Sequence, residues 1–234
     1  NTVVGDEAGT ALTTGTQSTA VGYGAAAAVT TANYMTAIGY RSLAANTSGE
    51  QNTGLGIQTL LTNISGSHNT ALGMNVLYSN TTGGGNTAVG GYAMFLNTTG
   101  GSNVAVGFQA LDSNTTGTNN IAIGSAALGV NTTANYNIAI GAYSLDANTT
   151  GSNSIGIGHA ALGANTTAGN NVAVGFLSLQ SNTTGTANTA VGTYSLDHNT
   201  TASNNSAFGY AALSATTTGT NNTAVGTAAH DNLT

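Results

Sequence analysis

The stretch Asn103-Val104-Ala105-Val106-Gly107-Phe108-Gln109-Ala110-Leu111-Asp112-Ser113-Asn114-Thr115-Thr116-Gly117-Thr118-Asn119 decides the fold, because it returns along the whole chain. Its Gly107 belongs to the series Gly5, Gly22, Gly39, Gly56, Gly73, Gly90, Gly107, Gly124, Gly141, Gly158, Gly175, Gly192, Gly209 and Gly226, always 17 residues apart. Fourteen copies follow one another without an insertion or deletion. Self-similarity at a fixed period marks a stacked repeat architecture. Flexible linkers need no such register. A pile of like turns does, because each residue rests on its counterpart one turn on.

Columns are counted from the fixed Gly. The residue before it is always aliphatic or aromatic, from Val4 to Phe208 and Val225. Two before it stands Ala or Gly, as in Ala88, Ala122 and Gly156, with Val3 the exception. Three before it is β-branched or Ser, and four before it is usually Asn. Four after the Gly comes Leu in ten copies, and seven after it Asn in ten copies, from Asn46 to Asn199. Thr-Thr or a close relative follows, then Gly or Ala.

The β-branched Asn-Thr-Ala-Val stretch predicts a short strand. The Ala/Ser-Leu segment predicts a second strand or extended leg. Asn-Thr-Thr-Gly predicts a turn, since Asn and Gly tolerate left-handed backbone angles. The fixed Gly predicts a bend where a side chain would clash. The expected fold is therefore all-β: one domain over residues 1–234, a parallel β-solenoid of about fourteen 17-residue turns. At the parallel strand spacing of about 4.8 Å, fourteen turns would make a rod of roughly 65 Å.

Composition agrees. Only 3% of residues are charged, against about a quarter in ordinary domains. Stacked like charges would repel, whereas stacked Asn or Thr side chains hydrogen-bond as ladders. With 40% apolar residues and a mean hydropathy of +0.05, the chain has material for a core and is not expected to be disordered. The absence of Pro and of a Gly-x-y period excludes collagen. The absence of Cys excludes a disulfide framework and Cys-ligated zinc. A single basic residue, Arg41, excludes electrostatic nucleic-acid binding. No apolar run is long enough for a membrane-spanning helix, and no basic-then-apolar leader opens the chain.

The expected core columns are Val89, Val106, Ile123, Ile140, Val174 and Val191 before the Gly, and Leu111, Leu145, Leu162 and Leu179 after it. Turn ladders are expected from Asn97, Asn114, Asn131, Asn148, Asn165 and Asn182. The same column forms Asn-x-Ser/Thr sequons, so Asn80, Asn97, Asn114 and Asn148 are candidate glycosylation sites, although turn chemistry already accounts for them. A parallel strand that is apolar on both faces is usually covered on both. One face can be the solenoid's interior, and the other then calls for a neighbouring copy of the chain, most simply in a cyclic oligomer.

Nothing in the columns points to catalysis, a cofactor or a metal. His68, His159, His198 and His230 occupy different columns and read as solvated surface residues. Asp112, Asp146, Asp197 and Asp231 share a column but lie two or three turns apart, roughly 10–14 Å, too far to share one calcium ion. They read as a solvated face. Asp197-His198, His230-Asp231 and Asp6-Glu7 carry little weight as catalytic pairs. Ice binding by the Thr columns is a lesser alternative, because the two Thr are adjacent and point opposite ways. Tyr23, Tyr40, Tyr92, Tyr143, Tyr194 and Tyr210 follow the Gly by one or two residues. They are expected to pack on a neighbouring turn or chain in preference to glycans.

The unit Asn-Thr-Ala-Val-Gly-x-x-Ala-Leu-x-x-Asn-Thr-Thr-Gly resembles the head repeats of trimeric autotransporter adhesins, and repeats of phage tail fibres and bacterial surface fibres. Asn137-Ile138-Ala139-Ile140-Gly141 and Asn171-Val172-Ala173-Val174-Gly175 carry the likeness. The resemblance implies a left-handed, trimeric β-roll that binds host surfaces or spaces a binding tip from its anchor. Here the unit has 17 residues where adhesin heads use a shorter one, and no coiled-coil stalk, membrane-barrel anchor or tail-fibre chaperone domain is visible. The expectation is a non-enzymatic adhesive fibre segment at a cell surface or on a virion tail. Its partners would be further copies of itself and a host-cell surface protein or glycan. The alternative is a filament subunit: no capping helix or charged edge strand closes either end, so either flanking domains lie beyond these residues or subunits stack end to end.

Overall fold

The computed structural model describes residues 1–230, and these residues form only strands, turns and bends. Asp231, the last member of the acidic column, lies outside them. The chain divides into two compact units at Thr118 and Asn119.

In the first unit β1 (Thr2–Val4), β2 (Thr19–Val21), β3 (Thr36–Ile38), β4 (Thr53–Leu55), β5 (Thr70–Leu72), β6 (Thr87–Val89) and β7 (Val104–Val106) pair in chain order. All pairs are parallel, and each residue faces the one 17 positions on, as in Thr36↔Thr53 and Val89↔Val106. The second unit repeats this with β8 (Ile121–Ile123), β9 (Ile138–Ile140), β10 (Ile155–Ile157), β11 (Val172–Val174), β12 (Thr189–Val191), β13 (Ser206–Phe208) and β14 (Thr223–Val225). The expected parallel β-solenoid is the fold of both units.

Each turn holds one strand of three residues, not two strands. The expected second leg is curled. Arg41 and Leu43, two and four positions after Gly39, have φ of 52° and 53°, and the same columns repeat this at Gln109 (55°) and Leu111 (52°). Tight turns result: Ser42 N donates to Gly39 O at 3.4 Å and Asn46 N to Leu43 O at 3.2 Å. A left-handed residue other than Gly costs about 1–2 kcal/mol. Full burial of a Leu side chain contributes about 1.5–3 kcal/mol, so the Leu column tolerates the conformation that turns it inward. The curled leg also remains bonded from turn to turn, with Leu43 N donating to Thr59 O at 2.9 Å and Ala45 N to Leu61 O at 3.1 Å.

The core differs from expectation on one column. Leu111, Leu145, Leu162 and Leu179 are fully buried, as are the strand-centre residues Ala88, Ala105, Ala122, Ala139 and Ala173. Val89, Val106, Ile123, Ile140, Val174 and Val191 are not core; they lie on the outer face of the strand, with Ile123 38% exposed. The reason is the thinness of the interior. Ser144 Oγ donates to Gly156 O at 2.8 Å, and Ser178 Oγ to Ala190 O at 3.0 Å, so the curled leg touches the backbone of the next turn's strand. From β2 onward only Ala or Gly stands there. A Cβ on Gly156 would sit 2.5 Å from Ser144 Oγ, and one on Gly54 2.5 Å from Ser42 Oγ.

The fixed Gly is required for two reasons. Gly22 has φ of 124°, closed to L side chains, and a Cβ there would lie 2.7 Å from Gly39 O.

Candidate functional site

Two columns of buried Asn line the polar side of the interior. In the first unit Asn63, Asn80, Asn97 and Asn114 each donate from Nδ2 to Oδ1 of the Asn one turn before, every rung at 2.7 Å. The same Nδ2 groups bond the carbonyl three residues on, as Asn97 does to Gly100 O at 3.0 Å. The second column lies four before the fixed Gly. Asn86 Nδ2 reaches that same Gly100 O at 2.9 Å, while its Oδ1 accepts from Asn103 N at 3.0 Å. Each carboxamide thus satisfies backbone groups that the turns leave unpaired in a dry interior, where an unmade bond costs about 1–3 kcal/mol.

In the second unit the rungs are longer: Asn148 to Asn131 at 3.4 Å, Asn165 to Asn148 at 2.9 Å, Asn182 to Asn165 at 3.0 Å and Asn199 to Asn182 at 2.9 Å. The difference tracks one column. The first unit carries Gly49, Gly66, Gly83, Gly100 and Gly117 beside the ladder, whereas the second alternates Ala134, Gly151, Ala168, Gly185 and Ala202. A Cβ on Gly83 would lie 2.5 Å from Asn80 Oδ1, so the methyl groups of the second unit push the amides apart.

The expected Asn ladder is present at Asn97, Asn114, Asn131, Asn148, Asn165 and Asn182. The glycosylation sites are not available in this fold: Asn80, Asn97, Asn114 and Asn148 are fully buried and each Nδ2 is already donating. The adjacent Thr split as their alternation demands. Thr81 and Thr98 are half-buried and donate from Oγ1 to the next turn's carbonyl at 3.0 and 2.9 Å, while Thr82 and Thr99 are exposed.

The acidic column is less solvated than expected. Burial pushes the carboxyls of Asp112, Asp146 and Asp197 above the usual carboxylate range. Asp112 Oδ1 is buried without a hydrogen-bond partner. Asp197 meets His198 Nδ1 at 3.2 Å, which opposes the effect of burial there. That His also contacts Ser214 O at 3.1 Å. Among the described residues no cluster of three or more His, Cys, Asp or Glu could hold a metal ion.

The aromatic columns meet from turn to turn, mostly edge to face. In the second unit Tyr143, His159, Phe176, Tyr194 and Tyr210 form an unbroken series with centroids 5.9, 5.5, 5.6 and 6.0 Å apart. His159 is thus a member of an aromatic stack, which its isolated position among the four His did not reveal. In the first unit Tyr23 and Tyr40 stack at 5.7 Å with planes 13° apart.

Beside that pair lies an open groove of about 590 Å³. Its floor is Ala27, Ala28, Ala44 and Ala45, and Leu61 and Thr62 help line it. Two turns further on the same columns carry Tyr78 and then Phe95, which fill this space and stack at 5.1 Å. The groove exists because two consecutive turns put Ala where others put larger groups. Glu7 and Arg41 also line it. The Glu7 carboxylate beside Tyr23, with the charge of Asp6 adding to it, pushes the phenol's pKa up.

Neither a protein-family model nor a curated protein matches the chain.

Proposed function

We propose that the chain is a non-enzymatic structural and adhesive segment of an extracellular fibre, a bacterial surface adhesin or phage tail fibre, presenting a repetitive surface for attachment to cells. The observation that carries this reading is the turn-to-turn bonding of every column. Backbone groups, the buried carboxamides and hydroxyls such as those of Thr81 and Thr98 are spent on the neighbouring turn, which makes for stiffness. The resemblance of the repeat to adhesin heads points the same way.

The fibre is a self-associating one in this reading, a trimer of the chain. Ile121, Ile123, Ile138, Ile140, Ile155 and Ile157 project from the outer faces of β8, β9 and β10, and the outward ends of this row are partly exposed. A second copy is the fitting cover. It offers the same uncharged side chains at the same rise per turn, so ridges mesh at every level.

Light scattering with negative-stain imaging tests the proposal. A trimer is expected, and Ile140→Asp should give folded monomers. A wild-type chain that stays monomeric at high concentration overturns self-association. Failure of the labelled trimer to bind any of a panel of bacterial and animal cells overturns attachment.

A further inference from the structure

The groove beside Tyr23 and Tyr40 has the features of a small-ligand site. Its volume of about 590 Å³ falls within the roughly 300–1,000 Å³ of such sites. Both rings are partly exposed, 44% and 46%, so their apolar surface is open to a ligand. Arg41 is the chain's only Lys or Arg, and it forms no ion pair among the described residues. Glu7 brings a carboxylate to the same groove.

We infer that this groove binds a neutral saccharide, with its C–H face against Tyr23 and Tyr40 and its hydroxyls bridging Glu7 and Arg41. The chemistry of the lining selects the class. Aromatic rings take the apolar faces of a sugar ring, while Glu7 accepts from hydroxyls and Arg41 donates to them. Charge-assisted bonds of this kind are the stronger ones. Asp6 and Glu7 lie close enough to add negative charge around Tyr23, which disfavours an anionic ligand. The small Ala27 and Ala44 leave the depth a sugar ring needs.

The second unit has a smaller groove with a similar lining, its aromatic and carboxylate groups standing in other columns: Tyr143 shares the column of Glu7 and Arg41, and Asp146 that of Ala27 and Ala44. Tyr143 and Asp146 flank a groove of about 380 Å³ floored in part by Gly163 and Ala164, with Gln180 as a further polar group. Aromatic, carboxylate and small residues therefore recur together where the larger side chains of other turns are missing.

This site deepens the attachment reading and rests on it for its biological sense, but its test does not need the fibre. Saturation-transfer NMR would use methyl glycosides of glucose, galactose, mannose and N-acetylglucosamine, with sialyllactose as the anionic arm. Saturable binding of at least one neutral glycoside is expected. Ala44→Phe fills the groove with a residue that the same column already accepts at Phe95, and Arg41→Gln installs the residue found at Gln58 and Gln109 with the same backbone angle. Each should weaken binding at least about tenfold without unfolding the chain. Binding of no neutral glycoside, binding of sialyllactose alone, or wild-type affinity in both variants overturns the saccharide site. Light scattering on the same samples separates the two ideas. A trimer that binds no sugar sinks this site alone, and a monomer that binds sugar sinks the fibre alone.

Discussion

Thr216 stands where the carboxamide column would continue after Asn199, and Asn199 Oδ1 and Thr216 Oγ1 are both buried without a hydrogen-bond partner. The ladder ends there because Thr is too short to supply the next rung. Thr216→Asn should extend it, donating to Asn199 Oδ1 and to Gly219 O. A gain of about 1 kcal/mol is expected from the relieved acceptor. Urea unfolding measures it, and an unchanged or lowered midpoint contradicts the ladder account.

The converse change is made in the middle of the column. Asn97→Ala removes the donor to Asn80 Oδ1 and to Gly100 O and leaves buried polar atoms unmatched. A loss of about 2–4 kcal/mol is expected. Asn97→Asp keeps the shape but sets oxygen against oxygen at both contacts, so it should be the worse of the two at neutral pH. Equal midpoints for wild type and Asn97→Ala would mean that the rungs carry little stability.

Ala105 and Val106 are sequence neighbours on opposite faces of β7, and only Ala105 is sealed inside. Ala105→Leu should overpack the thin interior and cost about 1–3 kcal/mol or more. Val106→Ala should cost less than about 1 kcal/mol in the monomer, since its side chain already meets solvent. Denaturation of both variants as monomers checks the order, and the reverse order would restore the Val column to the core.

Asp112 and Asp146 hold their protons to higher pH when folded than when unfolded, because burial disfavours the charge. The folded state then binds more protons across that interval, and stability falls as pH rises through it. Below the unfolded carboxylate value of about 3.9 the penalty is absent; above the folded value it is complete. Asp112→Asn and Asp146→Asn should therefore raise the melting temperature at pH 7 and lose that advantage at about pH 3. A pH-independent difference would point to packing and not to charge.

Gly22→Ala places a methyl group against Gly39 O in a backbone conformation closed to L side chains. A cost above about 2 kcal/mol is expected, more than any exposed Ala substitution should show. A melting temperature within a degree of wild type would mean that the column is not conformationally constrained.

Read alone, the residues settle the 17-residue circumference, the parallel register and the stacking of Asn on Asn, because the fixed Gly recurs in every copy and Asn fills its column in ten consecutive ones. The aromatic rows and the fixed Gly are legible for the same reason. The strand's inside could not be read, since Ala on one face and Val or Ile on the other are both apolar. Three-dimensional packing decides it. Ser144 reaches the strand backbone at Gly156, where even a Cβ would lie 2.5 Å from its Oγ, and at most other turns the strand centre holds the methyl group of an Ala, so the bulky column is turned outward. The curled second leg shares that origin. It depends on how far apart neighbouring surfaces lie, a distance that no periodicity encodes.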